Sequence, residues 1–294
     1  MLGKKTYYFF FVLLALSVML KGQNSLTGAG ASFPAPFYEK AFQEYEKQKK
    51  IQVTYKSIGS SSGIRQIDAQ LVDFGASDAF LSDDKMNSFS AEIYHVPTCI
   101  GAVAITYHLP GNPELNFTPE ILADIFLGKI NKWNDDQIKK INPNVNLPEL
   151  EIIVVHRSDG SGTTAIFSNY LCKINQVWKD KIGEGKTLSW PAGLGAKGNS
   201  QLADMITKAE GSIGYVSSVY AVMNQLPTAS IKNKSGNFIK PSLKSISAAG
   251  NALLPNDTRI NITNTDSEFG YPISSFTWIL FYGEQSYKGR SLNQ

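Results

Sequence analysis

Three stretches of this chain share one pattern: a short apolar strand, a loop of glycine and small residues, and then an amphipathic helix. They cover residues 26–50, 51–71 and 152–174. β-Branched residues and period-two alternation indicate the strands, and apolar residues at helical spacing indicate the helices. A chain built from such units predicts an α/β fold, in which the loops meet at the carboxyl ends of the strands, where ligands bind.

The third unit is the most informative, because it adds a charged side chain. Arg157 follows a β-branched run, and the loop 158–162 opens a helix that begins at Thr163. Free backbone N–H groups and the positive end of the helix dipole favour an anion at such a place. A guanidinium adds donors that match a phosphate or carboxylate, and Ser161 adds a hydroxyl. An ordinary capped turn, with Arg157 paired to Asp159, fits the same residues.

The first two loops offer further donors. Ser32 and the Phe33 N–H lie just before the helix 37–50, which makes a second anion-friendly position. The second loop is predicted over 58–63, between a strand and a helix over 64–71. It contains Gly-x-Ser-x-Gly centred on Ser61, as in the nucleophile elbow of a serine hydrolase. Hydrolysis would also need a histidine base with an orienting acid. None of the three histidines lies in a loop with an obvious acid, so hydrolysis stays an open alternative.

A fourth small-residue loop carries an acid. The short strand in 72–79 ends at Asp78. A plain helix cap or turn is the simplest interpretation of this aspartate on its own.

The first 22 residues predict a cleaved signal peptide, with an uncleaved anchor as the alternative. Lys4 and Lys5 precede an apolar run, 7–20, that is short for a membrane span and is followed by small and polar residues. Without residues 1–22 the chain has 25 basic and 25 acidic residues. A neutral chain gives no reason to expect nucleic-acid binding, and any anion site must work by local geometry.

Two cysteines, Cys99 and Cys172, occur in the chain. An exported protein could pair them, but both lie in apolar surroundings and could equally remain free thiols. The histidines are scattered and no Cys/His cluster has zinc-like spacing, so the sequence predicts neither a metal nor a cofactor.

Eight short motifs occur in order along the chain: GAGASFPAP (28–36), IGSSSG (58–63), VDFGASDA (72–79), LGKINKWN (127–134), RSDGSGT (157–163), GLGAKGN (193–199), GSIGYV (211–216) and YPISSFT (271–277). Together they resemble the periplasmic phosphate-binding protein family of phosphate ABC importers. The resemblance covers nearly the whole mature chain.

The resemblance implies a two-lobed, periplasmic-binding-protein-like (type II) fold with a ligand cleft between the lobes and a hinge. Residues 23–97 and 268–294 are expected to form the first lobe, and 98–267 the second. Members of the family usually continue with further helices beyond the last strand, so we expect part of the first lobe to be left uncovered where this sequence stops. The implied protein is a non-enzymatic, monomeric periplasmic receptor that delivers inorganic phosphate to a membrane permease.

The resemblance also implies residue roles. The Ser32 hydroxyl, the Phe33 N–H and the Ser60 hydroxyl are expected to hold phosphate from the first lobe. Ser32 stands where the family usually has threonine, a change that keeps the donor. From the second lobe, the expected ligands are Arg157, Ser161, Gly162 and Thr163, with Asp159 orienting the arginine.

Asp78 acquires a physical role in such a site. A carboxylate that faces a dianion is repelled unless one of the two holds a proton. Hydrogen phosphate can donate its proton to Asp78, whereas sulfate cannot. An unpaired buried polar group costs about 1–3 kcal/mol, so the sequence predicts selection of phosphate over sulfate. A receptor for another tetrahedral oxyanion is the alternative.

Overall fold

The computed structural model describes residues 25–251 and 253–288. The predicted signal peptide and the last six residues of the chain lie outside them. The described residues form eleven strands: β1 Ser25–Gly30, β2 Gln52–Ser57, β3 Phe74–Ser77, β4 Ile93–Tyr107, β5 Asn116–Phe117, β6 Ile153–Arg157, β7 Leu194–Ala196, β8 Ser212–Ser217, β9 Ser230–Lys232, β10 Phe238–Ile239 and β11 Ser274–Tyr282.

The same described residues also form ten α-helices. They are α1 Ala35–Lys49, α2 Ser60–Asp68, α3 Asp83–Asn87, α4 Pro119–Phe126, α5 Asp136–Ile141, α6 Gly162–Ile174, α7 Gln176–Lys181, α8 Gly198–Lys208, α9 Ser218–Met223 and α10 Leu243–Ala249. All three predicted strand–loop–helix units are therefore present, as β1–α1, β2–α2 and β6–α6.

Eight of the strands form one sheet in the order β2-β1-β3-β11-β4-β8-β6-β7. Strands β2, β1 and β3 are parallel, β11 runs antiparallel to both β3 and β4, and β8, β6 and β7 are parallel. The small strands β10, β9 and β5 form a second sheet.

The long strand β4 joins two halves of the large sheet. Its residues 93–102 pair with β11, and its residues 103–107 pair with β8. We call β2, β1, β3, β11 and residues 93–102 the first half-sheet, and residues 103–107, β8, β6 and β7 the second half-sheet. The fold is thus a two-lobed α/β fold, and the lobe boundaries given above stay a prediction.

Alternating residues of the second half-sheet enter two different cores. Ile105 of β4 and Tyr215 of β8 lie in the larger core with α4 and α6. Ala104 and Val216 face the opposite side, where they pack with α8. Successive side chains of a strand point to opposite faces, so helices cover both faces of this half, as expected for parallel strands.

One local prediction was wrong in detail. The predicted loop 58–63 is shorter, because Gly59 makes the turn with φ +87° and α2 begins at Ser60. Two other helices begin with side-chain caps. Asp135 caps α5 by accepting a hydrogen bond from the Gln137 amide, and Thr118 caps α4 by accepting one from the Ile121 amide.

Cys99 and Cys172 are both free, half-buried thiols. No helix within 25–251 or 253–288 combines the length and the apolar character that crossing a membrane requires.

Candidate functional site

The start of α6 presents two unpaired backbone donors. The Ser161 hydroxyl accepts from the Thr164 amide at 3.1 Å, and the Ser161 amide donates to the Lys186 carbonyl at 2.8 Å. Within the described part of the chain, the amides of Gly162 and Thr163 have no backbone or side-chain acceptor. These two N–H groups lie at the positive end of a 13-residue helix, which suits an anion.

Arg157, at the end of β6, forms a two-pronged ion pair with Asp159. Its Nε donates to Oδ1 at 2.7 Å and its Nη2 donates to Oδ2 at 2.6 Å. Its Nη1 reaches the Thr163 hydroxyl at 3.4 Å. Burial disfavours ionisation of Asp159, but the hydrogen bonds and charge of Arg157 outweigh it and hold the pKa of Asp159 below its usual value. The pair fixes the orientation of a guanidinium that is 3% exposed.

Asn199, near the start of α8, connects the first and second half-sheets. Its Nδ2 donates to the Ser32 hydroxyl at 2.8 Å and to the Thr163 hydroxyl at 3.1 Å, and its Oδ1 accepts from the Ser217 amide. Both hydroxyl oxygens therefore accept a hydrogen bond from Asn199. The hydroxyl hydrogens of Ser32 and Thr163 remain free to donate.

Phe33 follows Ser32 in the short segment between β1 and α1. Its ring is buried against Gly101 of β4, and within 25–251 and 253–288 no acceptor takes its backbone N–H. This amide is a further donor just before a helix.

Asp78 follows β3 and is 2% exposed. The Thr277 hydroxyl donates to its Oδ1 at 2.7 Å, and its amide donates to the Ser60 hydroxyl at 3.4 Å. Burial raises the pKa of Asp78 to about 7, although the Thr277 hydrogen bond, the charges of Arg157 and Lys186 and a hydrogen bond with Ser60 oppose the shift.

Gly162 brings the start of α6 against Asp78 and Ser60. A Cβ atom on Gly162 would lie 2.4 Å from Ser60 Oγ and 2.5 Å from Asp78 Oδ2. Two more contacts join the lobes here: the Ser61 amide donates to the Gly160 carbonyl, and the Tyr220 hydroxyl donates to the Ser32 carbonyl.

The structure therefore brings all the residues that the sequence singled out into one buried region between the half-sheets. They are Ser32, Phe33, Ser60, Asp78, Arg157, Asp159, Ser161, Gly162 and Thr163. Ser161 differs from expectation in one respect, because its amide is bonded to Lys186 and leaves the hydroxyl hydrogen as its free donor.

Sequence reasoning missed three residues of this region: Asn199, Thr277 and Lys186. Asn199 and Thr277 are the last residues of two motifs that carry the resemblance. No local sequence pattern, however, marks a side chain that forms a hydrogen bond with a residue distant in the chain. Lys186 lies in a polar stretch between two helices and carries no motif.

Within the described residues, no histidine is hydrogen-bonded to Ser61, as the Ser61 alternative would require. His95 accepts from the Leu81 amide, His156 contacts the Arg157 carbonyl and stacks on Trp190, and His108 Nδ1 is buried without a hydrogen-bond partner. The described part of the chain also lacks a group of three or more His, Cys, Asp or Glu side chains that could hold a metal ion.

Comparisons with known proteins agree with this geometry. A PBP superfamily domain model matches residues 20–294. The chain is 42% identical to the phosphate-binding protein PstS of Pasteurella multocida over 276 residues, which cover 92% of this chain and 80% of that protein. It is also 42% identical to the PstS of Haemophilus influenzae, over 94% of this chain and 83% of that protein.

Solved structures share the fold at low sequence identity. The crystal structure of an ABC-type phosphate transport receptor from Vibrio cholerae superposes with a TM-score of 0.55 at 18% identity, and the match covers 90% of this chain and 91% of that one. The periplasmic-binding-protein-like fold that the sequence predicted is thereby confirmed.

Proposed function

Because this chain belongs to the PstS family of phosphate-binding proteins within the PBP superfamily, we propose that it is the substrate-binding component of a phosphate ABC importer. It binds inorganic phosphate between its two lobes and hands it to a membrane permease. The relatives are named for binding, and the family is one of non-enzymatic transport components.

The arrangement around Asp78 is the observation that carries this proposal. Free donors converge there from both half-sheets, together with one buried acid. The free donors are the hydroxyls of Ser32, Ser161 and Thr163, the amides of Phe33, Gly162 and Thr163, and the Arg157 guanidinium. The Ser60 hydroxyl, the remaining predicted donor, is hydrogen-bonded to Asp78 and must exchange that partner for phosphate. Such a set fits an oxyanion that has lost its water and still carries a hydrogen.

Asp78 distinguishes among oxyanions. Hydrogen phosphate donates its hydrogen to a carboxylate and accepts from every other group in the site. Sulfate has no hydrogen at neutral pH, so it would place an oxygen against the carboxylate. Two buried acceptors, the sulfate oxygen and the Asp78 carboxylate, would then face each other without a hydrogen between them. This arrangement costs about 1–3 kcal/mol or more, which supports phosphate over sulfate as the ligand.

The location and partners follow the same proposal. A cleaved signal peptide in 1–22 would export the protein to the periplasm, where it acts as a monomer. The neutral mature chain offers no general attraction for nucleic acid, and the ligand is held by local geometry.

Tryptophan fluorescence gives a direct test. Trp190 stacks on Tyr215, and the Tyr215 hydroxyl accepts from the Arg157 amide, so ligand bound at Arg157 should change the emission. We expect phosphate to give a saturable change that an equal concentration of sulfate does not. A response to both anions alike would favour a general oxyanion receptor, and turnover of a phosphatase substrate would favour the Ser61 hydrolase.

A further inference from the structure

A cavity of about 220 Å³ with a mixed polar and apolar lining lies beside the proposed phosphate site, between the two lobes. A single water needs about 10–15 Å³ of such space, so the cavity can hold several waters or a hydrated ion. Ala79 and Phe80 of the first lobe and Ala165, Asn169, Glu184 and Lys186 of the second line it.

The wall of this cavity continues directly into the site on both sides. Ala79 follows Asp78 in the chain. The Lys186 carbonyl accepts from the Ser161 amide at 2.8 Å, which anchors the lysine backbone beside the first turn of α6. A side chain at position 186 therefore extends from the edge of the proposed phosphate site.

The Lys186 ammonium has no protein partner within the described residues, where it forms neither a hydrogen bond nor an ion pair. The acid in the same wall, Glu184, accepts from the Asn169 side chain at 2.7 Å instead. Burial lowers the pKa of Lys186, and the negative charge of Asp78 opposes that shift. The ammonium is thus a half-buried cation whose field reaches Asp78.

The charges of the site show what this cation can do. Asp159 already neutralises Arg157 through both carboxylate oxygens. Asp78 adds a negative charge when ionised. Without Lys186, a phosphate dianion would enter a site with no net positive charge and one acid.

We propose that Lys186 is a specificity-determining residue that supplies the missing positive charge and makes the site favour the dianion of phosphate over the monoanion. This inference rests on the proposed function. It adds a cationic residue, placed at the opening of the site, to the donors described above.

Several other ionisable groups lie near Asp78. Arg157 and Asp159 form one neutral pair. Burial raises the pKa of the neighbouring tyrosines and of the nearby thiol, which disfavours their charged forms: Tyr38, Tyr55, Tyr215, Tyr220 and Cys99. Burial lowers the pKa of Lys186, which favours loss of its charge as the pH rises. Between pH 6 and pH 8 the phosphate changes from mainly monoanion to mainly dianion, and the pKa of Asp78, about 7, lies in the same interval.

The test measures phosphate affinity by calorimetry for the unmodified protein, Lys186→Met, Lys186→Arg and the control Lys140→Met, which removes one charge from the exposed side of α5. Each is measured at pH 6 and pH 8, at low and high salt. Thermal unfolding checks that every variant is folded.

We expect Lys186→Met to bind phosphate about tenfold more weakly at pH 8 and low salt, and to lose about threefold or less at pH 6, where the monoanion dominates. High salt should reduce the loss, because it screens a half-buried charge. Lys186→Arg should stay within about threefold of the unmodified protein, and Lys140→Met should match it.

Two results would overturn the inference. One is unchanged affinity in a folded Lys186→Met. The other is an equal loss at pH 6 and pH 8, which would indicate a structural role without charge selection. If the unmodified protein itself failed to bind phosphate, the proposed function would fall first and this inference with it.

Discussion

The Thr277 hydroxyl donates to Asp78 Oδ1 at 2.7 Å across β11 and β3. This bond occupies one carboxylate oxygen and leaves the other, Oδ2, facing Gly162 at the start of α6. Ser60 also forms a hydrogen bond with this carboxyl group, and the fixed carboxylate keeps acceptor capacity on the side of Oδ2. That side faces the free amides of the helix, where we propose that phosphate lies.

The raised pKa of Asp78 predicts how stability changes with pH in the absence of phosphate. The folded pKa is about 7 and the ordinary value is 3.8, so the folded state binds the proton more tightly than the unfolded chain. Its contribution is complete below pH 3.8 and is lost as the pH rises to 7. At about 1.4 kcal/mol per pKa unit, the loss is on the order of a few kcal/mol.

Asp78→Asn removes this dependence. His95, whose pKa burial lowers to about 4, contributes the opposite slope between pH 4 and 6.5 in both proteins, so the difference between them isolates Asp78. We expect the variant to gain stability relative to the unmodified protein from pH 5 to pH 8 in denaturant unfolding without phosphate. A difference that is flat with pH would show that Asp78 is not held with a raised pKa.

Asp159→Asn is expected to destabilise the protein by about 2–4 kcal/mol, because it leaves the buried Arg157 guanidinium without its counter-charge. Phosphate should restore part of the lost Tm, since the anion pairs with the same guanidinium. The matched control is Asp204→Asn, in an exposed pair with Lys208, which should cost under about 1 kcal/mol. Equal Tm values for the two variants would contradict the role given to Asp159.

Asn199→Ala should weaken both stability and phosphate binding. It removes the bridge between Ser32 and Thr163 and leaves the buried Ser217 amide without an acceptor, at a cost of about 1–3 kcal/mol. Asn256→Ala, on an exposed asparagine, is the control. Calorimetry and thermal unfolding that gave the same values for both variants would remove Asn199 from the site.

Gly162→Ala is expected to abolish phosphate binding. The added methyl group would lie about 2.5 Å from Asp78 Oδ2, in the space where Oδ2 and the start of α6 face each other. Gly185→Ala adds the same group where the nearest atom is 3.5 Å away, and it should bind normally. Tight binding by Gly162→Ala would mean that phosphate does not need this close approach.

The local parts of the fold follow from the sequence more closely than the contacts between the lobes. Periodicity and turn residues predict β1–α1, β2–α2 and β6–α6, because those signals act within a few residues. The sequence predicts the start of α2 four residues too late, because a single glycine, Gly59, suffices for the turn before it. Asn199 and Thr277 bond to residues more than 160 positions away, and no local pattern encodes such distances.

The site residues were reached by a different route. Glycine and serine loops predicted anion-friendly positions, and the resemblance connected them into one site. The structure brings those residues together, and their roles in holding phosphate stay a prediction. Lys186 illustrates what sequence reasoning misses, because its importance comes only from the cavity and from the charges around it.

Calorimetric titration of the unmodified protein and of Asp78→Asn with phosphate and with sulfate, at pH 8, tests the central claim most directly. We expect the unmodified protein to bind phosphate tightly and sulfate at least about a hundredfold more weakly, and the variant to lose most of that ratio. An unchanged ratio in the variant, or equal binding of both anions by the unmodified protein, would contradict the claim that one buried acid selects the anion that still carries a hydrogen.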